Sequence, residues 1–102
     1  MSDSLSNIVK VDWDKTKQLV EDELIKSCIK AELSEDYTFD ININEDIWRI
    51  TIYFYDAGDN AIQDFDIILE RGRWSFYDSV GVLITRSDRL HNITDSIIAK
   101  FH

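Results

Sequence analysis

At Tyr37 the spacing of the apolar residues changes, and that change constrains the fold more than any other feature of the chain. Before it, Trp13, Val20, Leu24, Cys28 and Ala31 recur at helical intervals, with Ile25, Ile29 and Leu33 beside them. Lys15, Lys17, Glu21, Asp22, Glu23, Lys26 and Lys30 fill the turns between, and Asp12 or Asp14 can cap the start, so the spacing predicts one amphipathic helix near 13–33. After it the period is two. Tyr37, Phe39, Ile41 and Ile43 alternate with Thr38, Asp40 and Asn42, as a strand with one apolar side requires.

Asn44, Glu45 and Asp46 then form a tight turn. Trp48, Ile50, Ile52 and Phe54 alternate with Arg49, Thr51, Tyr53 and Tyr55 in a second strand. Asp56-Ala57-Gly58-Asp59-Asn60 reads as a hairpin loop. A third strand sets Phe65, Ile67 and Leu69 against Asp64, Asp66 and Ile68, and Arg71-Gly72-Arg73 turns into a fourth from Trp74 to Tyr77. Val80 to Thr85 suits either a fifth strand, with Gly81 as a bulge, or a loop. From Ser87 or Asp88, Leu90, Ile93, Ile97, Ile98 and Phe101 return to helical spacing.

Short connections imply an antiparallel meander whose apolar face needs a helix for cover. The expected class is α+β: an N-terminal helix, an antiparallel meander of four or five strands, and a C-terminal helix. At 102 residues the chain has enough apolar surface for one core, so residues 1–102 are expected to form a single domain, with residues 1–9 a leader with little to anchor it. No internal repeat, linker or low-complexity segment is expected.

The longest uncharged run is too short to cross a bilayer, and Met1 to Ile8 is polar and lacks a secretory apolar stretch, so the expected location is the cytoplasm with no membrane contact. Cys28 is the single cysteine, which rules out an internal disulfide; among Val20, Leu24, Ile25 and Ile29 it reads as a buried, inert thiol.

Catalytic groups are scarce. Of the two histidines, His102 is terminal and His91 stands at the head of an apolar helix, where a surface or capping role is expected. There is no histidine pair at metal-ligand spacing and no serine-nucleophile motif, and three glycines cannot build a dinucleotide or phosphate loop. The Asp56 to Asn60 loop lacks the ligand spacing of a calcium loop. Asp64 and Asp66 could hold magnesium or assist hydrolysis, but such a pair on an exposed strand is more often solvated. The expectation is therefore a protein that is not an enzyme, with no catalytic residues, cofactor or metal.

Charge says more. The net charge is -9, a field that repels nucleic acid and anionic membrane and attracts a basic protein. Between Glu32 and Asp66 lie ten acids (Glu32, Glu35, Asp36, Asp40, Glu45, Asp46, Asp56, Asp59, Asp64 and Asp66) against Arg49 alone. By strand parity, the side turned away from the helix carries Asp40, Asn42, Arg49, Thr51, Tyr53, Tyr55, Asp64 and Asp66, with Tyr77 or Trp74 from the fourth strand. Any helix-covered sheet has a polar outer face. Tyrosines set among carboxylates are, in addition, the composition of a surface that steers and anchors a basic partner.

In size, charge and layout, through Glu32-Leu-Ser-Glu-Asp-Tyr-Thr-Phe-Asp40, the strand Trp48 to Tyr55, and Asp64-Phe-Asp66, the chain resembles the immunity proteins of bacterial toxin systems, including those of contact-dependent growth inhibition. The resemblance implies a monomer or weak dimer that binds a basic toxin domain, commonly a nuclease, and blocks it without touching nucleic acid. On that footing Asp40, Glu45, Asp64 and Asp66 would pair with the toxin's lysines and arginines, and Tyr53 and Tyr55 would form the desolvated centre. Three other readings remain open: a phage nucleic-acid mimic that inhibits a host defence nuclease, a chaperone or adaptor subunit that dimerises, and a small enzyme.

Overall fold

The computed structural model describes residues 12–33 and 35–101; the expected leader lies outside them. The chain runs α1 (Trp13–Lys30), β1 (Tyr37–Asn44), a 3-10 turn (Glu45–Ile47), β2 (Arg49–Asp56), β3 (Ala61–Glu70), β4 (Arg73–Tyr77), β5 (Leu83–Ser87) and α2 (Leu90–Ala99). The five strands form one antiparallel sheet in the order β1-β2-β3-β4-β5, the meander expected of an α+β chain with a helix at each end.

Asp12 caps α1, its Oδ1 accepting from the Lys15 N–H at 3.1 Å. The helix ends at Lys30 rather than near 33 because Glu32 turns left-handed (φ 61°). That turn lets the Leu33 N–H donate to the Cys28 carbonyl (2.9 Å) and the Glu32 N–H to that of Ile29 (3.1 Å), closing the carbonyls left open at the helix end. Leu33 consequently folds back onto the core.

Both helices lie on one side of the sheet. Val20, Leu24 and Cys28 of α1 and Leu90, Ile93, Ile97 and Ile98 of α2 meet Ile41, Ile50, Ile52, Phe54, Phe65, Ile67 and Phe76 in one buried cluster. The aromatic rings pack edge to face or tilted around Phe54, with centroids 5.9 Å from Phe39, 5.9 Å from Phe65 and 4.8 Å from Phe101. Between the helices, the Ser27 hydroxyl lies 2.9 Å from Asp95 Oδ1 and 3.0 Å from Thr94 Oγ1, and Thr94 donates to the His91 carbonyl at 3.2 Å. Each buried hydroxyl thus has a partner.

Several local expectations need correction. Trp48 is not the first residue of β2: it takes a left-handed conformation (φ 55°) at the end of the 3-10 turn and meets Trp13 edge-on at 5.9 Å. Trp74 packs against the core on the helix side. The fifth strand forms, but over Leu83–Ser87, and Gly81 is not its bulge. Gly81 sits in the preceding loop at φ 88°, where the Asp78 carboxylate accepts from the Val80 and Val82 N–H groups at 3.0 and 2.9 Å. The C-terminal helix starts at Leu90; Ser87 Oγ ties its approach by accepting from the Arg89 N–H and from Asn92 Nδ2, both at 3.0 Å. His91 is exposed in its first turn and caps nothing.

A repeat is also present. Phe54-Tyr55-Asp56 and Phe76-Tyr77-Asp78 each end a strand and enter a five-residue loop organised by its aspartate. In the first loop Asp56 accepts from the Gly58 and Asn60 N–H groups, both at 2.9 Å, as Asp78 does from the matching positions in the second. The register then slips by one residue after each loop, between Phe54 and Tyr55 and between Phe76 and Tyr77, leaving Ile62 and Ile84 as the extra residues. Two consecutive hairpins are therefore built on one plan.

Candidate functional site

With both helices on one side, the other side of the sheet is open among the described residues, and its side chains fall in rows set by the register. The central row is Asp40, Tyr53 and Asp64, consecutive Cα partners across β1, β2 and β3. To one side lie Thr38, Tyr55 and Ala61; to the other lie Asn42, Thr51, Asp66 and Tyr77. Tyr53 is 38% exposed, Asp40 and Asp64 are exposed, and Tyr55, Asp66 and Tyr77 are half-buried by their neighbours. Thr51 Oγ1 donates to Asp66 Oδ1 at 2.7 Å, which fixes that carboxylate in place. The bulge at Ile62 opens a shallow depression of about 260 Å³ beside Tyr53 and Asp64, and Ile62 itself is 43% exposed.

Five of the six residues expected to bind a partner are thereby gathered: Asp40, Tyr53, Asp64, Asp66 and Tyr55 occupy adjoining rows. Glu45 is not among them. It begins the 3-10 turn beyond β1, at the opposite end of the strands. Of the two residues offered for the fourth strand, Tyr77 belongs to the open face.

The next row is one of which the strand alternation places Arg49 and Ile68 on this side and none of the others. It runs Asn44, Arg49, Ile68, Ser75 and Arg86, and past it Glu70 pairs with Arg73. Arg49 Nε is buried without a hydrogen-bond partner. Arg86 lies along the sheet, with Nε donating to the buried Ser75 hydroxyl at 2.8 Å and Nη2 reaching Glu70 Oε2 at 3.5 Å. The face is therefore bipolar, with carboxylates and tyrosines at one end and arginines at the other. The alternation Arg73, Ser75, Tyr77 carried the signal, and the repeated Phe-Tyr-Asp would have fixed its parity.

Among the described residues no group of three His, Cys, Asp or Glu is placed to hold a metal ion. None of the described helices is long and apolar enough to cross a membrane. Burial raises the pKa of the Cys28 thiol above its usual value. The Asp56 carboxyl is held below the usual range, chiefly by the Asn60 N–H. Neither group lies in the central row of the open face.

The fold and this face define a helix-backed antiparallel sheet with one bare, charge-divided surface. No protein family, curated protein or solved structure matches the chain.

Proposed function

We propose that the chain is an immunity protein: it binds a basic toxin domain, a nuclease, in the cytoplasm of the cell that makes it, and neutralises that domain by occupying its surface rather than by catalysis. The observation that carries the reading is the row Asp40, Tyr53, Asp64, flanked by Asp66 and Tyr55, on a sheet face that neither helix covers. A nuclease cleft attracts phosphates with lysines and arginines, and the same field attracts carboxylates. Tyr53 supplies a large contact area at small entropic cost, and the depression beside it gives an incoming side chain a place to lodge. Asp66, already oriented by Thr51, needs little reorganisation to accept a guanidinium. Glu45, at the other end of the strands, has no part in this surface.

The test begins with capture of the intact chain's partner from its native host, identification by mass spectrometry, and assay of the purified partner for nuclease activity. The reading expects a stoichiometric basic nuclease that the chain inhibits. Each tyrosine in Tyr53→Ala/Tyr55→Ala should weaken inhibition by about 30-fold, against about fivefold or less for Asp40→Asn alone. A captured partner that is not inhibited, or one bound equally well by the double variant, would refute it.

A further inference from the structure

All six lysines of the chain fall in or near its helical parts, whereas its five arginines, Arg49, Arg71, Arg73, Arg86 and Arg89, all follow the first strand. Three of the five converge. At the end of the open face remote from Tyr53 and Tyr55, Arg71, Arg73 and Arg86 line a concavity of about 760 Å³ together with one carboxylate, Glu70. Three guanidiniums against one carboxylate leave a local charge of +2 within a chain of -9.

We propose that this concavity is a binding site for a phosphate dianion carried on a small molecule. The site is partly organised in advance. Arg86 is tethered through Nε to Ser75, a fully buried side chain, so its guanidinium is fixed before any ligand arrives. Glu70 is engaged by Ser75 at 3.4 Å and by Arg86 at 3.5 Å. Arg71 and Arg73 make no ion pair with a carboxylate among the described residues, although carboxylates outnumber basic groups in this chain by 20 to 11. Arg71 also occupies the first position of the two-residue turn Arg71-Gly72, at φ 50°, where asparagine, aspartate or glycine fits the backbone better. An arginine there costs the fold some strain, and it sets its guanidinium at the concavity. Guanidinium forks match phosphate oxygens in pairs, which an ammonium does not do. The net charge of the chain repels an extended polyanion, so a compact dianion is favoured over a nucleic-acid backbone.

This inference goes beyond the immunity reading and does not depend on it. The probe is inorganic pyrophosphate, titrated into the isotope-labelled full chain at constant ionic strength and followed by amide resonances. Saturable shifts confined to Glu70 through Ser75 and Arg86 are expected. The variant Arg71→Asn/Arg73→Gln should weaken binding by about tenfold or more. Both arginines are exposed and asparagine suits the turn, so the variant should fold as well as the parent, which thermal melting checks. Shifts that do not saturate, or a folded variant that binds as tightly as the parent, would overturn the proposal. An oligonucleotide lacking terminal phosphates that binds more tightly than pyrophosphate would also overturn it, in favour of a backbone-binding surface.

Discussion

Replacing Phe54 by alanine tests the division of the sheet into a packed and an open face most directly, because its neighbours Tyr53 and Tyr55 point the other way. Phe54 is 1% exposed and meets the rings of Phe39, Phe65 and Phe101 at 4.8 to 5.9 Å. Removing the ring forfeits the burial of about 150 Å² of apolar surface, worth about 4 kcal/mol at 25 cal/mol per Å². That agrees with the loss of about 3–5 kcal/mol usual for a buried phenylalanine, which already includes the cavity left behind. A chain of this length has a total stability of about 5–15 kcal/mol, so the loss removes a quarter or more of it. At about 4–8 °C per kcal/mol the melting temperature should fall by about 16–32 °C. Tyr53→Ala, on the same strand and 38% exposed at the parent residue, should cost less than about 1 kcal/mol. Circular dichroism melts and urea unfolding of the two variants give the comparison. A Phe54→Ala loss below about 1.5 kcal/mol, or a Tyr53→Ala loss equal to it, would refute the face assignment, and with it the reasoning that makes Tyr53 available to a partner.

Three further outcomes follow from local chemistry. Ser27→Ala should cost about 1 kcal/mol, and Ser27→Ala with Thr94→Val should cost less than the sum of the single changes, because the two hydroxyls share one buried hydrogen-bond chain; additive losses in urea unfolding would count against that chain. The Asp56 carboxyl is stabilised in its charged form by N–H donors, so its contribution to stability is present above the ordinary aspartate value and disappears as pH falls through its lower folded value; the excess stability of the parent over Asp56→Ala should therefore shrink below about pH 4 in a series of thermal melts, and a gap that stays constant from pH 6 to pH 2 would contradict the assignment. Cys28 is buried, and that burial raises its pKa, so a disulfide reagent at pH 8 should label it at least about tenfold more slowly in the folded chain than in denaturant; equal rates would show that the thiol is open.

The buried side of each strand from Tyr37 to Glu70 was legible because each buries one side only, and a strict period of two leaves a single way to place Ile50, Ile52 and Phe54. Legibility failed where local backbone geometry, rather than the spacing of apolar residues, decides the path of the chain. Glu32 and Trp48 take left-handed conformations that apolar spacing does not report, which moved the end of α1 and the start of β2. Val80 to Thr85 suits a strand or a loop and divides between them: the Asp78 carboxylate draws the Val80 and Val82 N–H groups into a loop with both side chains exposed, and the strand begins at Leu83. The acidic and aromatic part of the open face followed from parity alone. Its arginine end did not, because Ser75 and Arg86 acquire their place from β4 and β5 pairing after a bulge.

Distance along the strands explains how one small face holds two opposite charges without the ends cancelling. Asp64 and Glu70 lie six residues apart on the same strand, about 20 Å at the rise of an antiparallel strand. The screening length at physiological salt is about 8 Å, so the field at Tyr53 is set by Asp40 and Asp64, and the field at Arg73 by its own neighbours. Between the two ends the row Asn44, Arg49, Ile68, Ser75 and Arg86 carries two cationic side chains: the Nε of Arg49 is withdrawn from water, and Arg86 is turned toward Ser75 and Glu70. Register therefore does what net charge cannot: a chain of -9 presents, on one sheet, a surface of carboxylates and tyrosines and a separate concavity lined by arginines. Asp40 and Asp64 at one end and Arg71 and Arg73 at the other lie more than a screening length apart, so substitutions at those positions test the two proposals by separate measurements.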